Sequence, residues 1–440
     1  MIMRKIVFLI SISALATIVS ATTRDTDVLK PYAVDENPNL LTQATHPKNT
    51  WIDEFNPEIP MHVTYSPEEG IKFSNADGST YTRLSGYMQV DSANFMGDTH
   101  DTVNHRVNLH NGLYIPSARL KLRGAMNANW KYRFEYDFAK TEMDYAYLNY
   151  VGWHHIEWKV GEYRPDFSTS SLTERIDSTF IERDLATEAF FIDYAIGTQI
   201  LFHKRSVTAS AGIFEPAFPS VNGIAVSGGA PVGVSARLGV APIHTQRELL
   251  HLGLASYGRQ AIDSRYTQFR TYPEMLSNND ISVSLVDTGS INHSRKYMVS
   301  SAEIVNVTGP FALAADYYVT SVDRRAGRDL TFDGYYAAAS YFLTGEHAVY
   351  DYLNGDFRGI SKIRNTYGAW EVALRYSGID LNDHDIHGGK ENDAAIALNW
   401  YPFSAIKFGV NYIRANAAPS QNGVDRIVNI VGLMMQARFG

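Results

Sequence analysis

From about Tyr81 to Phe439 apolar and polar side chains alternate with a period of two, not 3.6. That is the spacing of a strand, whose successive side chains point to opposite faces. The clearest stretch is Trp130-Lys131-Tyr132-Arg133-Phe134-Glu135-Tyr136-Asp137-Phe138, in which every even position is aromatic and every odd one is charged. Similar alternation sets Ile156, Trp158 and Val160 against Glu157 and Lys159, and Trp370, Val372, Leu374 and Tyr376 against Glu371 and Arg375. It returns in Ala394, Ile396, Leu398 and Trp400 against Asp393 and Asn399, and in Ile406, Phe408, Val410 and Tyr412 against Lys407 and Asn411. Segments of about ten residues with this pattern, parted by turn residues, mark transmembrane β-barrel strands.

The pattern predicts strands at 81–95, 113–126, 129–140, 143–152, 154–163, 195–205, 206–215, 230–242, 246–258, 295–307, 310–321, 331–343, 366–377, 391–401, 404–416 and 427–439, sixteen in all. An even number suits a single-chain bacterial barrel. Connections alternate between short, as at 127–129 and 203–206, and long, as at 164–194 and 259–294. Within hydrocarbon every backbone amide must be paired, so the sheet has to close. At this size side chains cannot fill the interior, which leaves an aqueous channel. The expected fold class is therefore all-β, a transmembrane antiparallel barrel of about 16 strands, and the expected function is passive diffusion of small hydrophilic solutes.

Composition sharpens this picture. Apolar residues are 45% and charged residues 20%, with a mean hydropathy of −0.21. No run approaches the roughly 18 apolar residues a membrane-spanning helix needs. The 27 Tyr, 21 Phe and 6 Trp suit strand surfaces and membrane interfaces. With no cysteine, disulfides, zinc–thiolate sites and thiol nucleophiles are excluded. A formal charge of −8 argues against nucleic-acid binding.

The first residues read as an address. Arg4 and Lys5 precede an apolar run from Ile6 to Val19, then Ser20 and Ala21, the pattern of a secretory signal peptide over 1–21. The stretch 22–69 follows as an arm, with prolines at 31, 38, 47, 57, 60 and 67 that block helix and sheet interiors. It is expected to be extended or weakly ordered, ahead of a barrel domain over 70–440.

Several motifs resemble the phosphate-selective porin O/P family: Ser340-Tyr341-Phe342-Leu343-Thr344-Gly345-Glu346, Gly368-Ala369-Trp370-Glu371, Arg375-Tyr376-Ser377, Asp380-Leu381-Asn382-Asp383, Gly388-Gly389 and Asn399-Trp400-Tyr401. Trp130-Lys131-Tyr132, Tyr136-Asp137-Phe138 and Phe180-Ile181-Glu182-Arg183 are similar to it as well. The resemblance implies a homotrimer of outer-membrane barrels in a Gram-negative bacterium, passing small inorganic anions. It also implies that the third and fifth external loops and one long periplasmic turn fold inward, here about 164–194, 259–294 and 344–365. Phosphate-selecting members carry two adjacent arginines on the second strand before an alanine. Pro116 and Ser117 stand there, ahead of Ala118, and Ser171 stands near the place of a third-loop lysine.

The candidate pore-lining cations follow from the alternation. Arg119, Lys121 and Arg123 share one strand face, with Leu120 and Leu122 opposite. Cations toward lipid would cost about 2–4 kcal/mol each at the midplane, so these face the lumen. Lys131 and Arg133 share that side of the next strand, and Lys159 follows on a later one. Two readings stay open: a track that concentrates anions, or wall chemistry in which Glu135 and Asp137 cancel the cations. The third loop adds Arg164, Arg175 and Arg183 beside Glu174, Glu182, Asp184 and Glu188, and the fifth adds Arg265 and Arg270. Asp380, Asn382, Asp383, Asp385 and Glu391 look like a calcium loop, but an EF-hand needs glycine where Asp385 stands. No metal, cofactor or catalytic motif is expected: Gly-x-Ser-x-Gly, His-Glu-x-x-His and nucleotide-binding fingerprints are all missing. The alternatives are a barrel enzyme, such as a lipase or protease, and a structural or adhesive barrel.

Overall fold

A computed structural model describes residues 61–67, 69–99, 109–216, 232–245, 247–261, 267–276, 283–419 and 425–440. The expected signal peptide and most of the proline-rich arm lie outside the described residues, as does Arg265. A hairpin, β1 (His62–Ser66) and β2 (Gly70–Ser74), opens the described chain. The barrel's first half consists of β3 (Tyr81–Gly97), β4 (Gly112–Ala125), β5 (Trp130–Asp137), β6 (Glu142–Trp153), β7 (Ile156–Tyr163), β8 (Ala195–Lys204), β9 (Val207–Pro216) and β10 (Gly233–His244). The second half has β11 (Glu248–Gln260), β14 (Ser294–Thr308), β15 (Phe311–Arg324), β16 (Leu330–Phe342), β19 (Ala369–Asp383), β20 (Ile386–Phe403), β21 (Ile406–Ala417) and β22 (Arg426–Phe439). Each pairs antiparallel with the next, and β22 pairs with β3 from Val428↔Gly97 to Phe439↔Gly86, which closes a barrel of 16 strands.

Closure leaves no lateral edge in hydrocarbon, which is what the bilayer demands. The outward face is apolar: Leu120 is 40% exposed while its neighbours Arg119 and Lys121 are 8% and 4%. Tryptophans gather near the short turns. Trp130 packs on Tyr150 and Trp158, Tyr150 on Trp153, and Trp370 stacks on Trp400, which stacks on Phe408. Such rings suit the membrane–water boundary.

All sixteen expected strands are present, with two differences of length. The sequence pattern stops at Ser377 and resumes at Glu391, whereas β19 and β20 continue to a hairpin at Asp383–Ile386. Asp380, Asn382 and Asp383 sit on that extension, where the strands carry polar residues and apolar alternation has no reason to persist. The arm also ends in sheet: β1 and β2 pair, and β2 pairs with β3 from Ile71↔Leu84 to Ser74↔Tyr81. Pro67 sits in the hairpin turn, where it interrupts no ladder. There β2 takes up the edge of β3 that β22 has left at Gly86, and the Gly440 amide bonds the Pro67 carbonyl at 2.9 Å.

The connections 164–194, 261–293 and 343–368 carry short elements of their own: α1 (Thr169–Leu172), α2 (Leu185–Phe190), and the two-stranded pairs β12 (Arg270–Thr271) with β13 (Val286–Asp287) and β17 (Ala348–Asp351) with β18 (Asp356–Ile360). The first lies against the inner wall where Gly334 of β16 admits it, since a Cβ on Gly334 would stand 2.8 Å from that of Ala186. We expect Gly334→Val to lift α2 from the wall and expose this loop. Limited trypsin digestion of the detergent-folded barrel should then cut after Arg183, while the parent protein resists; equal resistance would mean that α2 is anchored elsewhere.

Candidate functional site

Three insertions meet inside the barrel. In the 164–194 loop, Ser168 caps α1 and Asp184 caps α2 through the Thr187 amide at 2.8 Å, giving a stiff segment with satisfied helix starts. The loop docks through buried polar anchors: the Thr169 amide donates to Glu303 of β14 at 2.6 Å, and the hydroxyls of Ser168 and Thr187 both reach Tyr318 of β15. The 261–293 loop crosses to β19, where Glu274 accepts from Arg375 at 2.6 and 3.0 Å, and Tyr272 donates to Glu182 of the first loop at 3.2 Å. From the opposite end, the tip of the β17–β18 hairpin offers the Asn354 and Gly355 carbonyls to Arg237 of β10 at 3.2 and 3.3 Å. The same hairpin meets the first loop through Tyr350 with Thr169 and through the Phe357 amide with Thr173. The inward folding implied by the family resemblance is observed for all three segments.

The cationic ladder on β4 and β5 is matched by carboxylates. Arg119 contacts Asp137 at 3.0 Å, Glu135 at 3.2 Å and Asp144 at 2.8 Å, and also donates to Tyr194. Arg133 bridges Glu135 and Glu174, both at 2.6 Å, and Lys121 sits against Glu174. Burial disfavours the charged form of Glu174, but Lys121 and Arg133 hold it well below the usual carboxylate range. Arg119, Lys121 and Arg133 thus face Glu135, Asp137, Asp144 and Glu174. Of the two sequence readings, neutralised wall chemistry describes Arg119, Lys121 and Arg133.

Other cations lack a carboxylate within 4 Å. Arg123 has no ion pair among the described residues. Lys159 stands over the rings of Tyr147 and Tyr163 at 5.3 and 5.2 Å, and Arg164 over Tyr194 at 4.5 Å while donating to the Ser171 carbonyl at 2.8 Å. These rings form one cluster of Tyr145, Tyr147, Tyr163 and Tyr194 on the inner wall. Lys131 is exposed at the β5 end near the 126–129 turn. In the loops, Arg175 is bound to Glu182, Arg183 is 3.9 Å from Glu188, and Arg270 lies across the β12–β13 ladder from Asp287. The expected set is therefore split between paired and unpaired cations, and Arg265 lies outside the described residues.

The places of the two family arginines carry other chemistry. The β3–β4 register shifts between Gln89 and Asp91, opposite Ser117 and Tyr114, so Pro116 occupies an irregular rung where no amide is needed. Ser117 faces inward and donates to Asp137 at 2.7 Å, near Gln89 and Asp91, which bond one another. Ser171 is consumed in its own capping turn, with its hydroxyl on the Ser168 carbonyl at 2.9 Å. The resemblance to a calcium loop also dissolves: Asp385 binds Arg324 at 2.6 and 2.8 Å, Asp380 accepts from Asn382, and Glu391 points into the lumen.

Where the insertions converge they leave a cavity of about 100 Å³. It is lined by Arg175, Asp177, Glu182, Arg183 and Asp184 of the 164–194 loop, and by Ala312, Ala314 and Ala338 of the wall together with Arg375, which pairs with Ala338 across the β16–β19 ladder. Sequence alternation marks Arg375 as inward-facing but not as the anchor of a distant loop. Likewise nothing local in sequence pairs Arg237 of β10 with Glu303 of β14, 66 positions on. The Glu174 contact to β4 and β5 is equally non-local.

Comparison with known proteins agrees with this architecture. Porin O of Pseudomonas aeruginosa is 25% identical over 407 residues, covering 82% of this chain and 90% of that protein. An uncharacterized protein of Caulobacter vibrioides is 28% identical over 301 residues, 64% of this chain and 58% of its own length. Among solved structures, the outer membrane channel DcaP of Acinetobacter baumannii superposes with a TM-score of 0.51 at 13% identity, over 83% of this chain and 99% of that one. A loop L8 deletion mutant of OmpT, an outer membrane protein of Vibrio cholerae, gives 0.51 at 11% identity over 82% and 100%; both likenesses are of fold. The model of the family described as phosphate-selective porin O and P matches residues 83–439, and the chain belongs to that family, as an outer-membrane porin of a Gram-negative bacterium.

Proposed function

We propose that the barrel is a general diffusion porin with a weak preference for small inorganic anions, assembled as a homotrimer among outer-membrane lipids and lipopolysaccharide, and that it is a conduit rather than an enzyme. The observation that carries this reading is the division among the lumen cations. Arg119, Lys121 and Arg133 are cancelled by carboxylates, while Arg123 and Lys159 have none within 4 Å. Cations without an ion pair in a narrow aqueous space bias the local ion population without building a binding site. Tight retention of phosphate needs several fixed donors about one point. At the positions where the resemblance would put arginines, Pro116 offers no donor and the Ser117 hydroxyl is engaged with Asp137.

Planar-bilayer recording in a salt gradient tests the proposal. Insertions should conduct in three equal levels, with a reversal potential modestly on the anion side. Arg123→Glu with Lys159→Glu should move that potential to the cation side. An unchanged potential in a heat-shiftable trimer would mean that other groups set the field. Phosphate is expected to reduce chloride current only at high millimolar concentration; micromolar block would overturn the absence of a phosphate site.

The third prediction concerns pH. Burial pushes the Glu188 carboxyl of α2 up to about 7, against the opposing pull of Arg183 3.9 Å away. A raised carboxyl is neutral below that pH and charged above it, so the loop gains one negative charge between about pH 6 and 8. Anion preference should therefore fall as pH rises through neutrality, and Glu188→Gln should flatten the profile. A profile identical in both proteins would assign the titration to another group.

A further inference from the structure

We infer that the outer rim of the barrel, at its short-turn end, carries a site for the phosphate headgroup of an anionic phospholipid, built by the neighbouring turns β6–β7 and β8–β9. Short turns mark the periplasmic end of such barrels, so the lipid belongs to the inner leaflet. The site lies outside the lumen and goes beyond the porin reading.

Two short turns meet there. His154 and His155 join β6 to β7, and Arg205 and Ser206 join β8 to β9. The ladder between β7 and β8 runs to Ile156↔Phe202, and the His203 amide then donates to the His155 carbonyl at 2.9 Å, which fixes one turn against the other. Five basic side chains are thereby gathered: His154, His155, His203, Lys204 and Arg205. The rings of His154 and His155 lie 3.7 Å apart, and those of His155 and His203 6.1 Å apart. None of the five has an ion pair among the described residues. Glu157, the nearest carboxylate in sequence, is on the inner face of β7 and accepts from Asn149 at 2.7 Å. Other short turns at this end are unlike these: 126–129, 309–310 and 404–405 hold no charged residue.

Next to the turns, on the lipid side, Trp153, Ile200 and Phe202 are exposed, and the Phe202 ring lies 6.4 Å from that of His155. The patch therefore stands at headgroup depth, beside rings that suit the membrane–water boundary. An outward surface at that depth meets lipid, and its charge decides which lipid. A zwitterionic headgroup brings an ammonium that basic groups repel. An anionic headgroup brings only a phosphate, which can accept from any of the five. Partial desolvation, then the neighbouring His154, Lys204 and His203, hold the His155 imidazole below its ordinary range. An anion among these groups offsets that repulsion. By linkage, acid then strengthens lipid binding and bound lipid favours protonation.

Titrating the detergent-folded protein with phosphatidylglycerol or with phosphatidylcholine of the same chains, and counting bound lipid by native mass spectrometry, tests the site. At pH 6 phosphatidylglycerol should bind about tenfold more tightly, the scale of two cations at a membrane surface, and the ratio should fall by pH 8. Lys204→Gln with Arg205→Asn, a residue that suits the φ of 53° there, should bring the ratio toward unity. His154→Gln with His155→Asn should flatten its pH dependence. Both variants should conduct as the parent does, because the site is outside the lumen, and that also confirms that they fold. Equal affinity for the two lipids in the parent, a preference that survives Lys204→Gln with Arg205→Asn, or a preference indifferent to pH overturns the inference and leaves the porin reading standing. Displacement of the lipid by millimolar inorganic phosphate would reassign the site to a free anion and overturn it as well.

Discussion

A peptide group in hydrocarbon has no water to bond, so each amide of this chain must find another amide. The rest of the molecule follows from that requirement. It forces the ladder from β3 round to β22 and back to β3, and it dictates that one residue in two faces lipid and must be apolar. The other residue in two faces a space sheltered from the bilayer, which can hold any chemistry. All specialisation is thereby displaced inward, to alternate positions and to segments that leave the sheet between strands.

Those segments face a second constraint. A loop folded into a lumen keeps its polar backbone, and its own charges are brought against a wall already charged. The 164–194 loop meets both demands with the same residues. Its helices begin at capped ends, its Thr169 amide is taken by Glu303, and Glu174 is placed between Lys121 and Arg133. Removing one partner of such a buried network commonly costs about 3–5 kcal/mol, because the others are left charged and unpaired. The cations of β4 and β5 are therefore best understood as the seat of the loop. Whatever field the pore presents comes from cations that this loop leaves without an ion pair.

The division between what was legible in the sequence and what was not has the same origin. Strand positions and the facing of each side chain are local properties, since a period of two is visible wherever one face touches lipid. That is why Trp130–Phe138 and Ile406–Tyr412 could be read directly. The pattern fails where lipid no longer dictates it: at Asp380–Asp383, where β19 continues as polar strand, and at His62–Ser66, where a hairpin forms between prolines. The role of each lumen charge is not local at all. Arg123 and Lys121 look equivalent in sequence, two positions apart on one face, yet only Lys121 meets Glu174, which is contributed from 53 positions away. No spacing rule could have told them apart.

This bears on how selectivity can vary on one scaffold. A pore's ion preference is the residue left after wall and loop charges cancel, so it is sensitive to single positions whose removal the barrel barely registers. Ser117 illustrates the point. Its hydroxyl, Arg119 and Asp137 form one buried set, with contacts of 2.7, 2.9 and 3.0 Å. A guanidinium at that position would have to share Asp137 with Arg119, leaving an excess cation aimed into the channel. The strand pairing of β3, β4 and β5 would be unaffected, since it is made by the backbone. Family membership therefore specifies the barrel and the inward loops, whereas the solute is specified by which cations find a carboxylate, and in this chain most of those on β4 and β5 do.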